Sequence, residues 1–128
     1  MKPPKCLTFP ALSALPGFCH RFVLRCPQTP VNGERAEVVA RLRPHYLAAI
    51  GEMGYSEANF CEAEQVHGSR IAIVETIPAV LSPDVDGLIT QNDQAVLGIY
   101  VADCCAVYLA DPVTKAFGVV HAGRKGAE

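Results

Sequence analysis

From Arg70 to Val120 the chain is a succession of short apolar, β-branched runs separated by turn residues, and this pattern constrains the fold more than any other feature. Arg70-Ile71-Ala72-Ile73-Val74 and Asp86-Gly87-Leu88-Ile89-Thr90 each have the length and side-chain type of a strand. Pro78, Pro83 and Asp84 break the chain between them, and Gln91 to Gln94 precede a third run, Ala95 to Val101. That run is apolar on both faces, as expected of a central buried strand. Ala106 to Ala110 and Ala116 to Val120 flank the turn Asp111-Pro112-Val113-Thr114-Lys115, which predicts a β-hairpin with a five-residue loop. A sheet is therefore the expected core.

The residues ahead of this region follow other rules. Pro3, Pro4, Pro10, Pro16, Pro27 and Pro30 each remove a donor and restrict the preceding residue, which leaves room for no more than a short strand within Phe18 to Leu24. Asn32-Gly33 reads as a turn. Val39, Leu42, Tyr46 and Ile50, widened by Val38 and Leu47, then place a helical stripe on Glu34 to Ile50. Pro44 inside that stripe predicts either one long helix with a kink or, as the preferred reading, two helical segments, the second accepting Pro44 in its first turn, with Gly51 as the C-terminal cap. Between helix and sheet, a run from Asn59 to Gln65 leads into Val66-His67-Gly68, so His67 is expected at the junction of two short strands.

Half of the residues are apolar and 19% are charged, enough for one α+β domain spanning 1–128, with no repeat and no Gly/Ser linker to divide it. The final buried strand runs into His121-Ala122-Gly123-Arg124-Lys125-Gly126 with nothing after it to cover a sheet, which predicts a C-terminally truncated domain. Eleven basic against thirteen acidic residues, with no basic run, argue against nucleic acid. The longest nearly apolar stretch, Ala95 to Ala102, is eight residues, against roughly 20 for a membrane span. Pro10 and Pro16 interrupt what would follow a basic leader at Met1 to Lys5, so no targeting segment is read. Of six cysteines, Cys104 and Cys105 are adjacent, where a mutual disulfide is strained; a reducing cytoplasm is the expected setting.

Three soft donors stand at predicted strand ends: His67, Cys104 and His121, separated by 37 and 17 positions. Neighbouring strands lie only about 5 Å apart, so one sheet can bring such ends together. Two imidazoles and a thiolate suit zinc with one position left open. The same residues also fit an ordinary domain with two hydrogen-bonded histidines and a small core cysteine. Gly68 beside His67, and Gly123 and Gly126 after His121, permit tight turns and close approach of a ligand.

Gln65-Val66-His67-Gly68, Asp86-Gly87-Leu88-Ile89-Thr90, Ala102-Asp103-Cys104 and His121-Ala122-Gly123-Arg124-Lys125-Gly126 together resemble, in order and spacing, the motifs of the YfiH-like family, also called laccase-domain or multicopper polyphenol oxidase proteins. In the last motif Arg124 and Lys125 stand where the family has Trp-Arg. The resemblance is specific over residues 59–126 and implies part of an α/β/β/α sandwich with mixed β-sheets, in a parent protein roughly twice this length. It implies Zn2+ held by His67, Cys104 and His121, and a purine nucleoside phosphorylase that converts adenosine, inosine or guanosine and phosphate to base and ribose 1-phosphate. Adenosine deamination is the implied side activity.

On the same resemblance Arg124, Lys125 and Arg25 are the candidate phosphate contacts; no oligomeric state is fixed by the residues, and a monomer is the slightly favoured expectation. Asp103 is expected to orient a histidine or assist proton transfer, and Gln65 and Thr90 to shape the pocket. Cys105 is expected to point away from the ligand into the core. Four histidines in all cannot supply the about ten ligands of a multicopper oxidase. The competing readings are a metal-independent Cys104–His121 hydrolase and a catalytically impaired structural or interaction fragment.

Overall fold

Backbone pairing concentrates in the second half of the chain, as the runs of β-branched residues require. The computed structural model describes residues 4–78, 81–102 and 104–123. The chain forms two units, residues 1–57 and 58–128, and each is described by itself.

In the first unit β1 (Cys6–Leu7) pairs antiparallel with β2 (Phe22–Val23), and α1 (Pro10–Ser13) lies between them in sequence. The longest element is α2 (Arg35–Glu52), 18 residues in a single helix that contains Pro44. The expected division at Pro44 does not occur. Proline deprives the helix of one backbone hydrogen bond, but Pro44 is exposed, while Ala49 and Ile50 in the last two turns are buried. Gly54, rather than Gly51, ends the helix. Its φ is +90°, its N–H donates to Gly51 O (3.0 Å), and Tyr55 N–H donates to Ile50 O (3.1 Å), the paired bonds of a Schellman cap.

In the second unit β3 (Phe60–Glu62) pairs in parallel with a later strand, and β4 (Ile71–Val74) in parallel with β5 (Gly87–Thr90). The partner of β3 is β6 (Val96–Gly98), and the hairpin is β7 (Cys105–Ala110) with β8 (Phe117–Ala122). The order β4-β5-β8-β7, with β8 antiparallel to both neighbours, makes a mixed four-stranded sheet. The central strands are thus β5 and β8, not Ala95–Val101. Beyond Gly98, Ile99 and Tyr100 are buried but belong to no assigned strand: the Tyr100 N–H donates to Gln65 Oε1 (2.7 Å) and Gln65 Nε2 donates to Tyr100 O (2.8 Å). A side-chain amide here does what a neighbouring backbone does elsewhere.

One face of the sheet packs Val74, Leu88 and Val119 into a core with Cys61, Ala63, Val85, Ala95 and Ile99. The alternate residues of the edge strands, Ile71 and Ile73 on β4 and Val107 and Leu109 on β7, are exposed. Cys105 shares this exposed alternation with Val107 and Leu109 and is not a core residue, because no described residues cover that face of β7. Among the described residues no helix is long and apolar enough to cross a membrane.

Candidate metal centre

At one end of the four-stranded sheet the β3–β4 loop, the residue before β5, the residue before β7 and the C-terminal end of β8 converge. His67 comes from the loop, Cys104 from the position preceding β7, and His121 from within β8, one residue deeper in the ladder than its expected place after the strand. One donor atom from each of the three lies within 4.8 Å of the others. The imidazoles meet edge to face, with ring centroids 5.0 Å apart and planes at 75°. His67 is exposed, Cys104 half-buried and His121 buried, so the cluster opens from the sheet to solvent on the His67 side.

Asp86, the residue that precedes β5, organises this end. It is 1% exposed. Its Oδ1 accepts from the N–H groups of Val66 (3.0 Å) and Gly68 (2.9 Å), and its Oδ2 accepts from the N–H of His67 (2.9 Å). The same Oδ2 lies 2.8 Å from His121 Nδ1. Three successive amides thereby converge on one carboxylate, and His67 between them has φ +60°, a left-handed conformation uncommon for a residue with a side chain. Burial pushes the Asp86 carboxyl up. Hydrogen bonds from His121 and from the Gly68, Val66 and His67 amides outweigh that and hold it below the usual carboxylate value.

Gly123 completes the surround. A Cβ there would stand 3.4 Å from Cys104 Sγ and 3.9 Å from His67 Cδ2, so its lack of a side chain keeps space beside two donors. The donor set fits one metal ion: two imidazoles and a thiol, with the outer nitrogen of one imidazole bonded to a carboxylate, leave three ligands and room for a fourth. Among the described residues no second such group occurs. His20 and His45, in the first unit, are engaged by Phe9 N–H (2.7 Å) and Thr29 Oγ1 (2.9 Å). A mononuclear site suits these residues and a multicopper array does not.

Gln65 is buried in its clamp on Tyr100. Thr90 lies at the far end of β5 from Asp86 and donates to Val74 O (2.6 Å), fastening two strands. Arg25 is exposed after β2 in the first unit. Asp103, Arg124 and Lys125 lie outside the described residues. The residue to which sequence reasoning gave no role is Asp86, although it opens the Asp86-Gly87-Leu88-Ile89-Thr90 motif.

A mixed sheet that delivers two imidazoles and a thiol to one point is a scaffold able to hold a metal ion. The chain belongs to the family described as multi-copper polyphenol oxidoreductase laccase, whose profile matches residues 29–128. It is similar to a purine nucleoside phosphorylase of Mycobacterium tuberculosis, 35% identical over 96 residues, and to one of Deinococcus radiodurans, 34% identical over 88. These matches cover 75% and 69% of the chain but only 37% and 32% of the relatives, so the chain spans about a third of their length. Its fold is that of YfiH-like proteins. YlmD of Geobacillus stearothermophilus matches with a TM-score of 0.60 and 29% identity, over 75% of this chain and 37% of that one. YfiH of Bacillus licheniformis matches with a TM-score of 0.62 and 27% identity, over 75% and 38%.

Proposed function

We propose that this chain carries the zinc centre of a purine nucleoside phosphorylase that splits adenosine, inosine or guanosine with phosphate and deaminates adenosine as a side activity. The observation that carries the reading is the convergence of His67, Cys104 and His121, three donors with one side open. Names of similar proteins supply the substrate class. Zinc bound there would supply Lewis acidity, polarising a reacting oxygen and easing loss of a proton from water.

The chain's own residues have separate tasks in this reading. Asp86 accepts from His121 Nδ1 and leaves Nε2 to face the cluster. Gly123 keeps the open side free for the nucleoside. Arg124 and Lys125, directly after Gly123, are the proposed phosphate contacts, with Arg25 a third, and Asp103 is the proposed proton carrier. Lysine offers a point charge where guanidinium offers a planar fork, so Lys125→Arg should lower the KM for phosphate. A single YfiH-like domain, monomeric in a reducing cytoplasm, suits six free thiols.

Metal analysis and adenosine turnover, with and without phosphate, test the proposal on the purified protein. Adenine released only with phosphate marks phosphorolysis, and inosine marks deamination. A second reading, a Cys104 nucleophile with His121 as base, draws support from the Asp86–His121 bond, since a carboxylate on the outer nitrogen also suits a base. Inhibition by chelator reversed by zinc favours the metal; activity of the metal-free protein abolished by thiol alkylation favours the nucleophile.

A further inference from the structure

We propose that Asp86 is the positioning residue of the centre, a single carboxylate that sets the orientation of two of its three donors; the inference rests on reading His67, Cys104 and His121 as a metal site. An ionised carboxylate offers about four acceptor positions, and here four donors use them: the amides of Val66, His67 and Gly68 and Nδ1 of His121. Its partners are 18 to 20 residues away on the loop and 35 away on β8.

The backbone of Asp86 is itself fixed on both sides. Its N–H donates to Arg70 O (2.9 Å) and its carbonyl accepts from His121 N–H (2.7 Å). The carboxylate therefore projects from a rigid point in the ladder. Toward the loop it gathers three consecutive N–H groups, which holds His67 at φ +60° and fixes where that imidazole leaves the backbone. Toward β8 it can only accept, so Nδ1 of neutral His121 carries the proton and Nε2 presents its lone pair to the cluster.

A carboxylate that merely ties down a loop would not select a histidine tautomer, and this separates the two roles. Asparagine at position 86 has one acceptor oxygen. Turned to serve Val66 and Gly68, it presents NH2 to His67 N–H and to His121, and Nδ1 must then accept, moving the ring proton to Nε2. Turned the other way, it abandons Val66 and Gly68.

The experiment uses the full chain without metal and then with zinc or cobalt. In the metal-free wild type, at a pH where His121 is neutral, nitrogen-15 NMR of the imidazoles should find the His121 proton on Nδ1. Asp86→Asn should lower zinc affinity about 10- to 100-fold by chelator competition and change the cobalt spectrum. Val74→Ala, a core truncation away from the loop, should lower thermal stability while leaving zinc affinity unchanged. A proton on Nε2 of His121 in the wild type, or wild-type zinc affinity and cobalt spectrum in Asp86→Asn, overturns the proposal. Should the Asn variant not fold, the wild-type tautomer alone decides it. A wild type with the expected tautomer that binds neither metal overturns the metal-centre reading instead, and the positioning role with it.

Discussion

Asp86 and Asp111 stand at opposite ends of the same sheet, one before β5 and the other after β7. Both accept backbone amides, and both are held below the ordinary carboxylate value, Asp86, against its burial, by the His121 imidazole and then the loop amides, Asp111 by the Val113 amide and then the Thr114 hydroxyl. Asp111 serves Val113 N–H (2.9 Å), Thr114 N–H (3.4 Å) and the Thr114 hydroxyl (2.8 Å), all within three residues of itself and all exposed. Asp86 serves a loop and a strand that are remote in sequence, and it is buried. The same chemistry closes a turn in one place and assembles a site in the other. Reach and burial, rather than residue type, decide which.

The largest effect should come from removing the donors themselves. Cys104→Ala and His121→Ala are expected to take bound zinc from about one per chain to none, and any metal-dependent turnover with it. Cys105→Ala, whose side chain faces outward on β7, should retain both. Metal content of the three purified variants measures this. Equal zinc in the wild type and in Cys104→Ala would remove the thiol from the centre, and the comparison of the two aspartates would then concern turns alone.

Next is the stability that the two carboxylates contribute. Asp86→Ala leaves His121 Nδ1–H without its buried acceptor and three loop amides to find water, so the second unit should lose on the order of 3 kcal/mol. Denaturant midpoints for Asp86→Ala and Asp111→Ala would sharpen the contrast, and similar midpoints for the two would break it.

The sequence made one of these aspartates easier to read than the other. Asp111-Pro112-Val113-Thr114-Lys115 announces a hairpin loop because its partners are local, and β7 and β8 flank it as expected. Asp86 gave no such signal, since none of its side-chain partners is closer than 18 residues. The three donors were readable as soft ligands near strand ends, but their meeting depends on a strand order, β4-β5-β8-β7, that periodicity does not encode. The apolar run Ala95–Val101 misleads for a related reason: apolar character on both faces says nothing about whether the next backbone is a strand or, as at Tyr100, the amide of Gln65. Likewise, helix propensity rules expected a break at Pro44, where exposure of the ring and anchoring of Ala49 and Ile50 keep one helix.

A smaller effect extends the contrast to imidazoles. His121 faces an acceptor, whereas His20 in the first unit accepts from Phe9 N–H through Nε2 and stacks on the Phe9 ring, centroids 5.6 Å apart. Burial first, then the Arg21 guanidinium, hold His20 below its ordinary value. A folded value lower than the unfolded one means that the unfolded chain binds more protons in the interval between them. The contribution of His20 is therefore complete above about pH 6.5 and is lost as the pH falls through the folded value. Amide shifts of Phe9 followed from pH 8 to pH 5, roughly the range that spans a histidine's titration, should move with this group, and His20→Gln should flatten them. An unaltered Phe9 profile in that variant would mean that the ring nitrogen is not the acceptor.

The smallest effect belongs to Asp111 itself. Its folded value is lowered chiefly by the Val113 amide and then by the Thr114 hydroxyl, so what it contributes is present above the unfolded carboxylate value and disappears only as the pH falls through the lower folded one. Because the group is exposed, water replaces each lost bond at little cost, and Asp111→Ala should leave zinc content unchanged and move the denaturant midpoint by no more than replicate scatter. Carboxyl NMR titration of Asp111 should give a midpoint below its ordinary 3.8, with the Val113 and Thr114 amides following the same curve. A midpoint at or above that value would show that the loop bonds are not held in solution. In that event the strand pairing of β7 with β8 closes the hairpin without help from its turn, and Asp86 remains the only one of the two carboxylates whose hydrogen bonds shape this sheet.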